Sequence, residues 1–241
     1  MNSLPFFNLA NYWWCYLLTA VIAYLLGSIN PAVIITKIWT KGKLDIRTVG
    51  SGNAGFTNVL RCVGKGPAAI TFVGDFLKGV VSVGIAMLLM LTVKTDTPDL
   101  YRGYLMYIAG LFAVVGHTFP VYYKFKGGKG VVTSFAVMLM TDWRTLVCAL
   151  VIFAVVFLIC HIISVCALFN FAIYTFTAFT WRYLDYCGIT SAVSPLPAPT
   201  LPFVFFSAFI ALLIGIMVIV RHKDNIIRLR NGTEKKIHAK Q

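Results

Sequence analysis

Acidic residues are scarce in this 241-residue sequence: 8 Asp and Glu stand against 21 Lys and Arg, a formal charge of +13. Charge of either sign is thin, at 12% of residues, while 59% are hydrophobic and the mean hydropathy is +0.82. A soluble domain of this length needs far less apolar surface to fill its core, so a water-soluble fold is excluded. The six cysteines, at 15, 62, 148, 160, 166 and 187, lack paired metal-ligand spacing and mostly sit in apolar runs. They imply neither a disulfide frame nor a zinc site. No Ser-His-Asp order, HEXXH string or HX4D string occurs, so a metal hydrolase and a conventional triad have no support. No internal repeat and no inverted pair of halves is present. The positive charge comes without a nucleic-acid-binding motif, which argues against a nucleic-acid partner and leaves membrane topology, anionic lipids or an anionic substrate.

What is there is a series of apolar runs separated by short basic stretches. They predict an all-α integral membrane protein, a single domain over residues 1–241 with about seven transmembrane helices. The first span follows the aromatic cluster Tyr12, Trp13, Trp14 and Tyr16 and runs to about Thr36, and Gly27 and Pro31 near its inner end suggest a helix that packs closely or bends there. The second covers about Pro67 to Val93 and carries Asp75 and Lys78 on one face, read as a self-neutralising pair or as part of a site. A third ends near His117. Four apolar segments follow, at 131–141, 145–160, about 164–179 and about 201–220. The first of these has 11 residues, about 16 Å of helix, too short to span alone. Either the preceding glycine-rich loop dips into the membrane or this segment is a partial helix buried by its neighbours.

Seven crossings put the termini on opposite sides. Sixteen Lys and Arg then fall on the side of 37–66, 124–129 and the tail, whereas Lys94, Arg102, Arg144 and Arg182 fall on the other. Positive-inside predicts an outside N-terminus and a cytoplasmic C-terminus, with every polar motif in the cytoplasm.

Three polar stretches carry chemistry. Gly116 to Thr133, GHTFPVYYKFKGGKGVVT, places Lys124, Lys126 and Lys129 around Gly127 and Gly128, so ammonium and backbone N–H groups can converge on a phosphate. The simpler reading is a basic loop resting on anionic lipid heads. His117 beside it serves either a substrate hydroxyl or the orientation of the loop. Gly50 to Arg61, GSGNAGFTNVLR, offers Ser51, Asn53, Thr57 and Asn58 as neutral partners and Arg61 as a bidentate fork. A charge about 4 Å from a phosphate oxygen is worth roughly 4 kcal/mol near a surface, before desolvation. The tail RHKDNIIRLRNGTE predicts a short helix placing His222 and Asn225 on one face, ended by Asn231 and Gly232. A polybasic tail accounts for its charges but not for His222, Asn225 and Glu234 standing among them.

Together with GDFLKG at Gly74 to Gly79, these stretches resemble, in order, the motifs of the PlsY family of bacterial acyl-phosphate-dependent glycerol-3-phosphate acyltransferases. The resemblance covers most of the chain. It implies a seven-helix enzyme of the bacterial cytoplasmic membrane that transfers a fatty acyl group from acyl phosphate to glycerol 3-phosphate, giving lysophosphatidic acid and phosphate. It also implies no cofactor, no metal, and an upstream enzyme that makes acyl phosphate. By resemblance Ser51, Asn53, Asn58 and Arg61 match the first motif, and His117, Lys126, Gly127, Gly128 and Lys129 the second. His222, Asn225 and Glu234 match the third, and Ser164 resembles a serine after the fifth span. The sequence departs from the family at CHIIS before Ser164 and at GSINPA, where the proline is shifted by one. Ser51, Lys129, His222 and Asn225 are the expected catalytic set, and the others the expected substrate contacts. The competing class is a transporter for a phosphorylated metabolite, which needs similar cations but a polar path across the membrane.

Overall fold

The computed structural model describes residues 9–92, 98–196 and 199–236; the expected end of the second span at Val93, and Lys94, lie outside them. The described chain is helical throughout: α1 (Leu9–Ser28), α2 (Pro31–Trp39), α3 (Phe56–Cys62), α4 (Lys65–Met90), α5 (Pro98–Thr118), α6 (Val131–Thr141), α7 (Trp143–Cys160), α8 (Ile163–Tyr186), α9 (Leu201–Arg221) and α10 (Lys223–Arg230). Six helical stretches are long and apolar enough to cross a membrane, the first formed by α1 and α2 together. Their outward faces carry bare Leu, Ile, Val and Phe, and Trp13 and Trp14 are exposed at the start of α1. A fold that turns such residues outward belongs in lipid.

The first span bends and packs closely at its inner end, as Gly27 and Pro31 suggested. It does not run unbroken to Thr36: α1 stops at Ser28, and Asn30 caps a new helix whose first residue is Pro31. The Asn30 side chain accepts a hydrogen bond from the Val33 N–H at 3.2 Å, while proline at the first helical position gives up only a donor that has no helical partner there. Gly27 of α1 and Gly116 of α5 let these two helices touch through their backbones. A Cβ at Gly27 would strike the Ala113 carbonyl, and one at Gly116 the backbone of Tyr24 and Ser28.

The 11-residue segment at 131–141 is α6, a partial helix enclosed by α4, α5 and α7. Thr133 to Met138 are all buried. A helix this short leaves its last carbonyls inside the apolar layer, where each must find a donor. Arg182 of α8 supplies one, its guanidinium donating to the Thr141 carbonyl at 2.5 Å. Arg182 belongs to a closed set of two acids and two bases. Arg144 binds Asp142 at 2.7 Å and Asp185 at 2.6 Å, and Arg182 approaches the same two acids at 3.1 and 3.3 Å. The four side chains are at most 3% exposed, and Thr190 and Ser194 add hydroxyl donors to Asp185. Arg144 and Arg182 are therefore not the surface loop charges their sequence positions suggested. They neutralise two buried carboxylates and hold the α6–α7 corner to the end of α8.

Candidate active site

At the opposite end of α6, the loops that carried the three polar stretches meet. Loop 44–55 is held by Asn58 from the first turn of α3. Its side-chain N–H groups donate to the carbonyls of Ile46 and Val49, both at 3.0 Å, and its Oδ1 accepts from the Ser51 N–H at 2.9 Å. Every polar atom of that buried amide serves the loop, so Asn58 shapes the site wall more than it offers a hydrogen bond to a ligand. A bidentate pair between Arg47 and Asp45 braces the same loop and holds the Asp45 carboxyl down at about 2. The result aims Ser51, Asn53 and Arg61 at one cavity.

The glycine-rich loop after α5 folds back on the helix that precedes it. The Gly128 N–H donates to the His117 carbonyl at 3.1 Å, and a Cβ on Gly127 would run into the same carbonyl and that of Thr118. The expected phosphate cradle is thus altered, because the Gly128 donor is spent inside the loop. The glycine pair permits a close fold-back that delivers Lys129 to the cavity. Lys126 is exposed and does not line it. Gly130, at φ +87°, then turns the chain into α6, a conformation that glycine adopts without strain.

From the far side come α9 and α10. His222 sits between them, 3% exposed, with Nδ1 2.7 Å from the Val218 carbonyl. A carbonyl only accepts, so Nδ1 carries the proton and Nε2 keeps its lone pair. Burial, then the charge of Lys129, push the His222 imidazole down to about 4, so the ring is neutral at physiological pH. Lys129 Nζ donates to Asn225 Oδ1, and the Asn225 amide donates onward to Glu234 Oε1 at 2.7 Å. Glu234 also accepts from Ser164 Oγ at 2.9 Å and Arg228 Nε at 2.6 Å, which keeps its carboxyl below the usual range against the opposing effect of burial. The expected end of the tail helix is observed, with Asn231 after α10 and Gly232 at φ +67°. That turn sends Glu234 back under α10 to reach the start of α8.

These side chains enclose a cavity of about 330 Å³. Its lining includes three cations, Arg61, Lys129 and Arg228, near enough that the charges of Arg61 and Arg228 act on Lys129, together with Ser51, Asn53 and neutral His222. Its apolar lining comprises the ring pairs Phe56–Phe72 and Phe135–Phe153, with Leu150. Leu150 is half exposed on the lipid-facing side of α7. The structure thus brings together Ser51, Asn53, Asn58, Arg61, His117, Lys129, Ser164, His222, Asn225 and Glu234, and leaves out Lys126, Gly127 and Gly128. Two further polar residues line it: Arg228, which the motifs did not single out, and Asp75, which the sequence left as half of a structural pair or part of a site. Arg228 lies one turn beyond Asn225 on the same helix face, a spacing that marks it in the sequence. Asp75 belongs to the buried pair with Lys78, which the structure extends to His117. Among the described residues no cluster of His, Cys, Asp and Glu could hold a metal ion.

Fold and site define a class: a multi-pass integral membrane protein with an amphipathic cavity lined by both cations and hydrocarbon. The family description "Glycerol-3-phosphate acyltransferase" matches residues 17–232, and the chain belongs to that family. It is 37% identical over 227 residues to the glycerol-3-phosphate acyltransferase of Coxiella burnetii (strain CbuG_Q212), covering 92% of this chain and 98% of that protein. It is likewise 37% identical over 226 residues to the enzyme of that name from Clostridioides difficile (strain 630), covering 94% and 97%. The fold superimposes on a crystal structure of PlsY, an integral membrane glycerol 3-phosphate acyltransferase, in its glycerol 3-phosphate form. The TM-score is 0.69 at 30% identity, over 92% of this chain and 96% of that one. The lysophosphatidic acid form of PlsY matches with a TM-score of 0.68 at the same identity.

Proposed function

We propose that the chain transfers an acyl group from acyl phosphate to glycerol 3-phosphate, releasing lysophosphatidic acid and inorganic phosphate. The observation that carries this reading is a single cavity whose lining combines three cations with a large apolar surface. Acyl phosphate and lysophosphatidic acid each combine a phosphate with a long hydrocarbon chain, and such molecules match both kinds of lining at once. Arg61, Lys129 and Arg228 bind the phosphates, and the chain lies between Phe135, Leu150 and Phe153 toward the bilayer.

A free hydroxyl of glycerol 3-phosphate attacks the acyl carbonyl carbon; the new ester C–O bond forms as the bond from that carbon to phosphate oxygen breaks. Neutral His222 accepts a hydrogen bond from the hydroxyl at Nε2 and aims it, and the proton leaves with the phosphate. Asn225, fixed between Lys129 and Glu234, orients the glycerol phosphate. Phosphate is a good leaving group, so the cations do most of their work by stabilising charge that shifts onto it. The excess of Lys and Arg on one side supports a site at the cytoplasmic face of a bacterial inner membrane, with the N-terminus outside and seven crossings if α6 and its loop count as one. An enzyme that makes acyl phosphate supplies the donor.

The test is phosphate release by the purified protein in lipid vesicles, with palmitoyl phosphate and glycerol 3-phosphate supplied together and separately. Release that needs both, matched by lysophosphatidic acid, is expected. A folded sample that releases none, but carries glycerol 3-phosphate across the vesicle membrane, would establish a transporter instead.

A further inference from the structure

Bordering the cavity is a buried group that the reaction above does not use. Asp75 and Lys78 of α4 are 2% and 7% exposed, and His117 of α5 is 4% exposed. Lys78 Nζ lies 2.9 Å from Asp75 Oδ1, 2.9 Å from the Ile29 carbonyl at the α1–α2 break and 2.7 Å from His117 Nδ1. The same Nδ1 is 3.1 Å from Asp75 Oδ1.

These distances pose a choice with consequences for the cavity. If Nδ1 carried the ring proton and donated it to Asp75, the pair would be an Asp–His dyad and Nε2 would be an acceptor. An ammonium group, however, has three donors and no lone pair. It can sit 2.7 Å from a ring nitrogen only if that nitrogen is unprotonated. Three acceptors surround Lys78 Nζ, namely a carboxylate, a carbonyl and Nδ1, so its three N–H groups are all used. Of the two contacts to Nδ1, the one to Lys78 is shorter. Asp75 and Lys78 cancel in charge, which makes the group tolerable in the apolar layer.

We infer that Lys78 is a positioning residue that holds His117 as the neutral tautomer protonated on Nε2, making its ring a hydrogen-bond donor to substrate phosphate. His117 lines the cavity, and its Nε2 lies against Gly128, whose other close neighbour is the Ala54 carbonyl, at the junction of the two glycine-rich loops. The site then holds two histidines of opposite sense. His222 offers a lone pair to the hydroxyl, while His117 offers a proton to phosphate and has no part as a base. The break between α1 and α2 acquires a role as well, since the Ile29 carbonyl it frees is one of the acceptors that saturate Lys78. The inference rests on the proposed phosphate-bearing substrates, but the tautomer itself is a property of the unliganded protein.

The sequence has four histidines, so ring ¹⁵N spectra of the full chain in lipid nanodiscs are resolvable, with His117→Gln assigning the signal. The expected result in the wild type is a protonated Nε2 and an imine-type Nδ1 for His117, with the Nε2–H resonance shifting when glycerol 3-phosphate or inorganic phosphate is added. In Lys78→Met the ring should invert to Nδ1–H facing Asp75. The KM for glycerol 3-phosphate should then rise about tenfold or more, with a smaller change in kcat, as for loss of a hydrogen bond to a charged group. A wild-type ring protonated on Nδ1, or an Nε2–H signal indifferent to both phosphates, overturns the inference even if the variant fails to fold. A wild type with the expected tautomer but no acyl transfer would sink the proposed reaction and leave the assignment standing.

Discussion

Lys129 and Asn225 are joined by a direct hydrogen bond from Nζ to Oδ1, which ties the glycine-rich loop after α5 to the first turn of α10, 96 residues further along the chain. Two of the three polar stretches thus meet in a single contact, and Glu234 extends it through Asn225 to Ser164.

Lys129 is itself sensitive to pH, for reasons other than that contact. Burial is the largest influence on its ammonium, and the nearby cations Arg228 and Arg61 add to it against Glu234, so the pKa falls from an ordinary 10.5 to about 8. Between those values the unfolded chain holds more protons than the folded one, so stability rises with pH across that window, and the full cost of the charge is present below about 8. Lys129→Met should abolish this slope in thermal denaturation followed from pH 7 to 10.5. In the same variant acyl transfer should fall by at least about a hundredfold, because a charge-assisted contact to phosphate is lost.

His222 behaves in the opposite half of the pH range. Its imidazole is held at about 4, first by burial and then by the Lys129 charge. As pH falls from the ordinary 6.5 toward 4 the unfolded chain takes up the proton first, so this residue's contribution to stability is lost over that interval. An NMR titration of His222 should show a neutral ring throughout pH 5 to 8. Its midpoint should move upward in Lys129→Met, where the second cause is gone. A midpoint near 6.5 in the wild type would refute the neutral-ring assignment.

Glu234 holds the returning tail. Glu234→Ala removes the acceptor of Ser164, Asn225 and Arg228 together. We expect a stability loss on the order of 2 kcal/mol, cleavage of the chain after Arg230 in limited proteolysis, and weakened glycerol 3-phosphate binding as Asn225 loses its orientation. Glu234→Gln should recover part of the binding, because an amide oxygen still accepts from Ser164 and Asn225.

Asp185 tests the other end of the molecule. Asp185→Ala leaves Arg144 and Arg182 with one carboxylate between them, and removing one partner from a buried ion network costs about 3–5 kcal/mol. The thermal midpoint in detergent should fall sharply. The folded fraction should keep its acyl transfer per molecule, since α6 separates this network from Lys129 by about 16 Å.

Much of this was legible in the residues. The apolar runs at 131–141 and 201–220 match α6 and α9 to within a residue or two, because a membrane demands unbroken hydropathy and punishes error at every position. Glycines beside lysines marked the loop that delivers Lys129 to the cavity, though their spacing reads as a phosphate cradle and the structure uses the pair for a fold-back. The tail motif placed Asn225 on a short helix, with His222 at the cap before it instead of inside it. Local spacing fixed these features. Arg144 and Arg182 read as loop charges, because what buries them is a pair of acids, Asp142 and Asp185, brought together only when α7 packs on α8. Lys126 and Lys129 looked equivalent until the loop's path placed one outward and the other at Asn225. The full hydrogen bonding of Asn58, the direction of His117 and the hydrocarbon wall from α6 and α7 are likewise tertiary outcomes. Hydropathy and short motifs act over a few residues and determined which segments enter the membrane and which carry charge. The pairing of those charges is decided by contacts up to 96 residues apart, which exist only once the helices have packed.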